Sequence, residues 1–365
     1  MEVSLLLFIE RIIAPVGQGA FYIEKFNLTS SKKINIVFDC GSTSIHTLEQ
    51  KIKDLFHQEE TIDAVFISHF DSDHFNGLKY LLEYTNITNL FLPLLTTETV
   101  IANQLKSQLD DINDSFTATF FKDPVATIKH YSPNTQVHQI SPDQDFPDEN
   151  NFDAIQIIEK EINKHVEWKL VPHCFRMERK ASKFIRKFNA KFHQYFTTIY
   201  EVSNYLKAHR KAISPDTLKE MYNSTSSNLN IQTTTLYSGP SLPVIYQDID
   251  YLGKNFPAGT LYTGDYLLKN SQYKNTLTIV YKKYLPCVGL LQIPHHGSKH
   301  NYSSDFIEDN FHHLYYCFTS VGNKNRYGHP STCVVDSINK LPSPPLKFHK
   351  VTECPFSVLT SYIVV

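Results

Sequence analysis

The chain has 365 residues, and its 35 Lys and Arg against 37 Asp and Glu give a formal net charge of −2. Its 41% hydrophobic and 20% charged residues argue against intrinsic disorder, because such a chain can bury enough apolar surface to offset its ordering entropy. The 12 Gly and 18 Pro exclude a collagen-like polymer. A near-zero net charge gives no global reason to expect nucleic acid, so any such evidence must come from a local patch.

The N-terminal apolar run at 5–9 is short, and Glu10 and Arg11 follow it directly. A signal peptide needs an apolar core of about 7–15 residues and a transmembrane helix about 20, so we expect the first strand of a soluble, cytoplasmic protein without a membrane partner. The scattered cysteines contain no CxxC pair, which predicts reduced and mostly buried thiols.

Short β-like runs alternate with helical runs along most of the chain. Runs rich in Val, Ile, Phe and Tyr predict strands at 3–12, 20–26, 34–39, 62–68, 89–92, 127–131, 229–237, 259–263, 288–293, 313–319, 346–351 and 358–364. Helices are predicted at 44–57, 76–84, 97–109, 275–283 and 330–340. This alternation favours a layered α/β fold.

A segment at 135–222 interrupts this rhythm, which divides the chain into 1–134, a largely helical insertion at 135–222, and 223–365. The insertion begins acidic, notably at 143–153, and then turns basic. Between Lys160 and Lys211 there are 13 Lys and Arg but four Asp and Glu, a net charge of +9, so the rest of the chain carries −11.

Phenylalanines recur every four residues in the basic part, at Phe184, Phe188, Phe192 and Phe196. This spacing predicts an amphipathic helix with an aromatic stripe. The basic residues between them are candidates for binding a polyanionic substrate: Lys183, Arg186, Lys187 and Lys191. In the alternative interpretation, the stripe packs on the main body and the charges are simply solvated.

The strongest pattern is His69-Phe-Asp71-Ser-Asp73-His74, directly after the strand predicted at 62–68 and before a helix. On such a loop His69 and Asp71 can face one cation while Asp73 and His74 face another, about 3.5–4 Å away as in two-metal sites. Imidazole with carboxylate suits Zn²⁺, Mn²⁺ or Fe, and the added carboxylate favours Mn²⁺.

This motif resembles the HxHxDH signature of the metallo-β-lactamase fold family, with Asp71 in place of the second His. The variant is similar to the soluble hydrolase domain of the competence protein ComEC and its stand-alone relatives. Further matches follow the order of that subgroup's motifs: Pro15-Val-Gly-Gln-Gly19, Val37-Phe-Asp39-Cys-Gly41, Leu261-Tyr-Thr-Gly264-Asp265, Ile293-Pro-His295-His296-Gly297-Ser298 and Arg326-Tyr-Gly-His329-Pro330. Pro15 replaces the subgroup's usual Asp. The resemblance covers about 1–130 and 223–365, and it implies an αββα sandwich with a basic helical insertion.

The resemblance also implies roles for individual residues around two divalent metal ions, Mn²⁺ or Zn²⁺. His69 and Asp71 would hold one ion, Asp73, His74 and His295 would hold the other, and Asp265 would bridge both. Asp39 would orient a ligand histidine. His296, Ser298 and His329 would lie at the rim, where they would bind a phosphate oxygen or protonate the leaving group. A water made acidic by both cations would be the nucleophile.

The family usually supplies one more histidine before the TGD motif, but the matching region at 223–237 has none. His173 is a candidate substitute. Without a substitute, the first metal position would be weak, exchangeable or completed by water.

Three functions follow from this pattern. The first is a metal-dependent phosphodiesterase, a nuclease acting on DNA, which the +9 segment with its aromatic residues favours. The second is a small-molecule hydrolase, namely a lactonase, an amidase or a cyclic-nucleotide phosphodiesterase. The third is an effector that stays dormant until a protein partner activates it, as the resemblance to defence-system (antiphage) effectors of this fold suggests.

Overall fold

The computed structural model describes residues 5–27, 33–96, 99–101, 103, 115–142, 168–176, 179–209, 213–214, 217, 232–241, 246–247, 255–323, 325, 327–341, 347–352 and 356–364. The strands within them are β1 (Leu5–Ile13), β2 (Gly19–Asn27), β3 (Lys33–Ser42), β4 (Thr61–Phe66), β5 (Asn86–Pro93), β6 (Gln136–Ile140), β7 (Trp168–Arg176), β8 (Gln232–Pro240), β9 (Tyr246–Gln247), β10 (Asn255–Phe256), β11 (Gly259–Tyr262), β12 (Val288–Gln292), β13 (Tyr316–Ser320), β14 (Lys347–Val351) and β15 (Phe356–Val364). The helices are α1 (Ile45–Leu55), α2 (Ser72–Phe75), α3 (Leu78–Tyr84), α4 (Ser115–Phe120), α5 (Pro124–Tyr131), α6 (Arg179–Phe192), α7 (Ile199–Ala208), α8 (Ser271–Tyr281), α9 (Ser304–Asn310) and α10 (Thr332–Asn339).

Two mixed sheets form the centre of the molecule. The first has the strand order β15-β1-β2-β3-β4-β5-β6 and the second has the order β14-β13-β12-β11-β8-β7. Strands β3 to β6 are parallel to one another, and so are β11 to β14. Their carboxyl ends therefore share one edge in each sheet, which is where the loops after β3, β4, β11 and β12 emerge.

Three apolar layers hold the sheets and helices together. Residues of both sheets, such as Tyr22, Phe38, Tyr262 and Phe318, form the layer between them. A second layer joins the outer face of the first sheet to α1, α3, α4 and α5. A third joins the outer face of the second sheet to α8, α9 and α10. The arrangement is therefore helices–sheet–sheet–helices, which confirms the predicted αββα sandwich. No described helix has both the length and the apolar character needed to cross a membrane.

One predicted strand is wrong: residues 127–131 lie in helix α5. The side chain of Asp123 caps this helix by accepting a hydrogen bond from the backbone N–H of Ala126 at 3.0 Å, and Pro124 occupies the first turn. An Asp-Pro pair is a helix-start signal, because it supplies a capping oxygen and a φ angle that suits the first turn. This cap outweighs the β-branched Thr127 and Ile128, and the segment is helical.

The segment predicted as an insertion contributes to both sheets. Strand β6 pairs with β5, and β7 pairs with β8 over its full length. Within 135–222, the described residues that stand outside the sheets are therefore mainly α6 and α7, and the acidic stretch at 143–153 lies outside the described residues. The predicted amphipathic helix is α6, with Phe184 and Phe188 fully buried against α7 and Ile101.

A buried ion pair connects the two sheets. The Arg11 Nε donates to Glu24 Oε1 at 3.0 Å, and both side chains are at most 2% exposed. The same Glu24 carboxylate accepts hydrogen bonds from the hydroxyls of Ser238 and Tyr262, which belong to the second sheet. A second Arg11 nitrogen donates to the backbone carbonyl of Ala258. Arg11 and Glu24, both in the first sheet, are therefore paired with each other and hydrogen-bonded to the second-sheet side of the core.

Candidate metal centre

The candidate site lies where the carboxyl ends of the strands meet. His69 and Asp71 follow β4, and the short helix α2 carries Asp73 and His74. Asp265 follows β11, and a tight turn after β12 contains the two histidines of the PHHGS motif. The backbone N–H of Thr234 in β8 donates to the carbonyl of Ser68 at 2.7 Å, which joins the edges of the two sheets beside the site.

Two glycines allow the loops to approach this closely. A Cβ on Gly41 would lie 2.3 Å from the backbone nitrogen of His74, so only glycine lets α2 rest against the end of β3. Gly264 has a φ of 53°, and a Cβ there would lie 2.9 Å from the Cβ of Ser68. The glycines of the VFDCG and TGD motifs therefore serve close backbone approach, as expected where no side chain fits.

The first group of metal-ligating atoms belongs to His69, His74 and Asp265, all buried and with ligand atoms within 4.8 Å of one another. His69 Nε2 lies 3.6 Å from Asp265 Oδ2, and His74 Nε2 lies 3.4 Å from Asp265 Oδ1. Within the described part of the chain, both Nε2 atoms and Asp265 Oδ1 are inaccessible and lack a hydrogen-bond partner. Orphaned polar atoms of this kind are costly, so their convergence indicates a bound group such as a metal ion.

The second group consists of Asp73, His74 and His296. His296 Nδ1 lies 2.8 Å from the backbone carbonyl of Ser320, and because a carbonyl only accepts, Nδ1 carries the proton. The other ring nitrogen, Nε2, lies 3.2 Å from Asp73 Oδ2. Either the proton of an imidazolium or a bound cation supplies the positive charge that such a pair needs.

Asp39 fixes the orientation of both motif histidines. Its carboxylate accepts hydrogen bonds from the Ser68 backbone N–H at 2.6 Å, from the Ser68 hydroxyl at 2.7 Å and from His74 Nδ1 at 2.7 Å. Since the Ser68 hydroxyl donates to Asp39, His69 Nδ1 must donate to Ser68 Oγ, 2.8 Å away. Each Nδ1 is thereby engaged as a donor, and each Nε2 points at the carboxylates as the ring nitrogen that a metal can bind.

The electrostatics of this group favour bound positive charge. Burial alone would lower the pKa of His74, but the carboxylates of Asp39, Asp265 and Asp73 raise it to about 10. Burial and the neighbouring His74 lower the pKa of His69 to about 4, so this imidazole is neutral, as a metal ligand must be. Burial would raise the pKa of Asp265, yet the surrounding histidines hold it well below its usual value. The residues therefore fit divalent cations.

The positions of His295 and His296, the two histidines after β12, differ from those that the sequence suggested. The structure brings His296 to Asp73 and His74, whereas the sequence assigned that place to His295. The Asn301 side chain donates through Nδ2 to the carbonyls of Asp265 and Tyr266. Its Oδ1 therefore faces His295 Nδ1, 3.1 Å away, and because Oδ1 only accepts, His295 Nδ1 is the donor. This N–H also lies 3.5 Å from Asp265 Oδ2.

No spacing rule separates two consecutive histidines, so the sequence held no signal for this difference. Both residues have positive φ angles, 50° and 54°, and the following glycine has 82°. Three successive left-handed residues re-aim the side chains, and such strained backbone is typical of functional sites.

The remaining predicted residues lie around these groups. Asp71 is buried, with its Oδ2 3.8 Å from His69 Nε2. The ring of His329 lies 5.7 Å from that of His295, and burial lowers its pKa to about 4. Ser298 is buried and His173 on β7 is half-buried. Among the described residues, neither belongs to either group.

The basic candidates lie on α6. Arg186 and Lys191 are exposed and Lys187 is half-buried, while the side chain of Lys183 lies outside the described part of the chain.

Replacing Asp39 by Asn is expected to weaken metal binding by about 10–100-fold, because a support of this kind orients a ligand histidine. The amide keeps the size of the side chain but removes the charge that holds His74. Metal affinity is measured by competition with a chromophoric chelator, and the His74 ring-nitrogen NMR shifts report the loss of the fixed tautomer. Asp123→Asn is the control: it alters only the α5 cap and should leave the affinity unchanged. Equal affinities for all three proteins would exclude the orienting role.

Comparison with known proteins supports the fold and the metal chemistry. Residues 20–90 match the model of the metallo-beta-lactamase superfamily. This segment runs from β2 into β5 and contains the whole His69–His74 loop. A search of curated proteins gave no match. The relationship to the competence-protein subgroup stays a prediction.

Solved structures with a similar arrangement include three proteins. A candidate metallo-beta-lactamase from Thermotoga maritima is 13% identical, with 75% of this chain and 91% of that chain covered and a TM-score of 0.33. MEM-A1, a subclass B3 metallo-beta-lactamase from a soil metagenome library, is 12% identical over 81% of each chain, with a TM-score of 0.28. The chemotaxis sensor ODP, solved as a peroxy diiron species, is 15% identical over 39% of this chain and 44% of its own, with a TM-score of 0.20. Since all three TM-scores are below 0.5, they support no inference about the site.

Proposed function

We propose that this chain is a metal-dependent hydrolase and that it cleaves phosphodiester bonds in DNA. The observation that carries the first part is the convergence of orphaned, buried Nε2 and carboxylate atoms from His69, His74 and Asp265 beside the Asp73–His296 pair. The match of residues 20–90 to the metallo-beta-lactamase superfamily supports it, since hydrolases of this superfamily are mostly metal-dependent.

The donor set accounts for two divalent cations, Mn²⁺ or Zn²⁺ being the best fit to mixed imidazole and carboxylate ligands. His74 has one ring nitrogen to offer, because Asp39 occupies the other, so it can serve one cation only. His69 with Asp71 would then hold one ion, Asp73 with His74 and His296 the other, and Asp265 would lie between them.

Two divalent ions supply an acidic water and neutralise the charge that develops on the reacting phosphate. The chain's own residues prepare the site for this chemistry. Asp39 and Ser68 engage Nδ1 of the two motif histidines, which leaves Nε2 as the ring nitrogen that a metal would bind. His295 lies at the more open side of the site, where its side chain is 30% exposed and its Nδ1–H donates to Asn301.

The choice of DNA rests on the position and charge of α6. This helix carries six Lys or Arg and no acidic residue in 14 positions. Helix α6 begins three residues after the end of β7. The last residue of β7, Arg176, pairs with Gln232 at the start of β8, and Thr234 of β8 makes the backbone contact with Ser68 beside the site. The apolar side of α6 packs on Ile101, in the segment that leaves β5 at the same edge of the first sheet. The short link from β7 and the packing on Ile101 both favour a position of the basic helix α6 next to the candidate metal site.

Purified protein supplied with Mn²⁺ is expected to degrade linear DNA, and His74→Ala is expected to reduce the rate to background, because His74 belongs to both ligand groups. The assay follows release of acid-soluble nucleotide. His313→Ala, a change in a histidine that belongs to neither group, is the control and should retain full activity. A His74→Ala protein that cleaves DNA at the wild-type rate would defeat the assignment.

Salt dependence separates DNA from a small substrate. Polyanion binding weakens steeply with salt, because counterions are released from the phosphates, whereas binding of a lactone or amide should barely respond. Hydrolysis of a lactone with a flat salt response, or activity that requires an added protein partner, would replace the nuclease assignment.

A further inference from the structure

The turn between α6 and α7 presents an aromatic ring to solvent. Tyr195 is 96% exposed, and Tyr200 in the first turn of α7 is 53% exposed. Large aromatic side chains are normally buried. Helices α6 and α7 and the turn between them (179–208) form a unit that we call the α6–α7 hairpin. The neighbouring Phe192 and Phe196 pack against the apolar cluster of this hairpin. Tyr195 is therefore exposed although the aromatic residues on either side of it in the sequence are packed.

The turn that carries Tyr195 is well fixed. The Asn189 side chain donates to the Phe196 carbonyl at 2.8 Å and accepts from the Phe196 N–H at 3.0 Å. The Gln194 N–H donates to the Asn189 carbonyl, and the Phe196 ring lies 5.4 Å from that of Tyr205. A ring held outward by a fixed turn loses little conformational entropy when a ligand stacks on it.

The charged residues of α6, which leads into the turn, are all basic. Arg186 and Lys191 are exposed on α6, and Lys191 is four residues before Tyr195. The acidic residue nearest in the described chain, Glu201, is engaged in capping α7, where its carboxylate accepts from the N–H groups of Thr197 and Thr198. An exposed ring beside exposed basic side chains is the combination that binds single-stranded nucleic acid through stacking and phosphate contacts.

We propose that the α6–α7 hairpin binds single-stranded DNA, with Tyr195 stacking on an unpaired base while Arg186 and Lys191 contact the phosphate backbone. The proposal deepens the proposed function, on which it rests for the identity of the polyanion. A single strand fits better than a duplex, because the bases of a duplex already stack on one another and cannot meet the face of a protruding tyrosine.

Binding is measured by fluorescence anisotropy with a labelled oligothymidine in the presence of a chelator, so that no cleavage takes place. Tyr195→Ala is expected to weaken binding by about fivefold or more, in line with the loss of one stacked base. Tyr195→Phe keeps the ring and should bind as the wild type does. A blunt-ended duplex of equal length should bind more weakly, and Tyr195→Ala should not alter its affinity.

The second part of the proposal, the contact between basic side chains and the phosphate backbone, is tested by reversing one charge. Lys191→Glu should weaken binding and reduce the salt slope by about 0.7 or more, the contribution of one phosphate contact on a single strand. Lys53→Glu is the matched control, since Lys53 is an exposed lysine on α1, in the layer on the first sheet. It should leave the salt slope unchanged.

Three results would overturn the proposal: unchanged affinity of Tyr195→Ala for oligothymidine, a duplex bound as tightly as the single strand, or clearly tighter binding of oligouridine than of oligothymidine. Because the assay contains no metal, hairpin binding can hold while metal-dependent cleavage fails, and cleavage can hold while hairpin binding fails. The two proposals are therefore tested separately.

Discussion

Asp265→Ala is expected to remove at least about one bound divalent ion per chain and to lower hydrolytic activity by about a thousandfold or more. The Asp265 carboxylate lies within 3.6 Å of His69 Nε2, His74 Nε2 and His295 Nδ1, so its loss affects three histidines of the site at once. Several kcal/mol of charge stabilisation at the reacting centre disappear with the metal, and each 1.36 kcal/mol corresponds to a tenfold change in rate. Metal is counted by elemental analysis after dialysis.

Asp305→Ala is the matched control for this experiment, because Asp305 is an exposed carboxylate on α9 whose described side-chain contacts are with Lys274 and the Ser304 hydroxyl, away from the site. It should keep the metal content and activity of the wild type. Circular dichroism of Asp265→Ala separates loss of the ligand from loss of the fold. A folded Asp265→Ala protein with wild-type metal content would remove Asp265 from the site.

Glu24→Gln is expected to lower the free energy of unfolding by about 3–5 kcal/mol, because it leaves the Arg11 charge buried without its partner. The substitution keeps the shape of the side chain, but the amide cannot accept from Arg11, Ser238 and Tyr262 as the carboxylate does. These contacts cross from the first sheet to the second, so the effect should appear as a lower urea midpoint for the whole sandwich.

The comparison is with Lys51→Ala, which breaks the exposed Lys51–Asp54 pair on α1. Solvent and salt screen such a pair, so its removal should cost less than about 1 kcal/mol. A Glu24→Gln effect as small as that of Lys51→Ala would mean that the buried pair does not stabilise the sandwich.

Much of the fold follows from local patterns in the sequence. The strands at β1 to β5 and β11 to β15 are Val-, Ile- and Phe-rich runs between turn residues, so their periodicity locates them well. The helix at 124–131 was missed because its strongest signal is the Asp123–Pro124 cap rather than an apolar period. Strand β7 was missed because it lies within a basic segment, and it became a strand through pairing with β8, a tertiary effect.

The candidate site could be predicted in part. The grouping of His69, Asp71, Asp73 and His74 follows from a strand-to-helix loop, and their convergence with Asp265 follows from strand ends that share an edge. The different roles of His295 and His296 could not be predicted, because they depend on backbone angles and on the Ser320 carbonyl and Asn301, which lie elsewhere in the chain. The hairpin surface was also hidden, since sequence alone did not distinguish the buried Phe188 from the exposed Tyr195.

The central claim is that bound divalent metal and DNA cleavage belong to one site. The most direct measurement is DNA cleavage by wild-type protein that has been stripped with a chelator and then titrated with Mn²⁺ while bound metal is counted. We expect the stripped protein to be inactive and the rate to rise in step with occupancy, to a plateau at about two ions per chain. Full cleavage by the stripped protein, or metal binding to the plateau without any cleavage of DNA, would contradict the account.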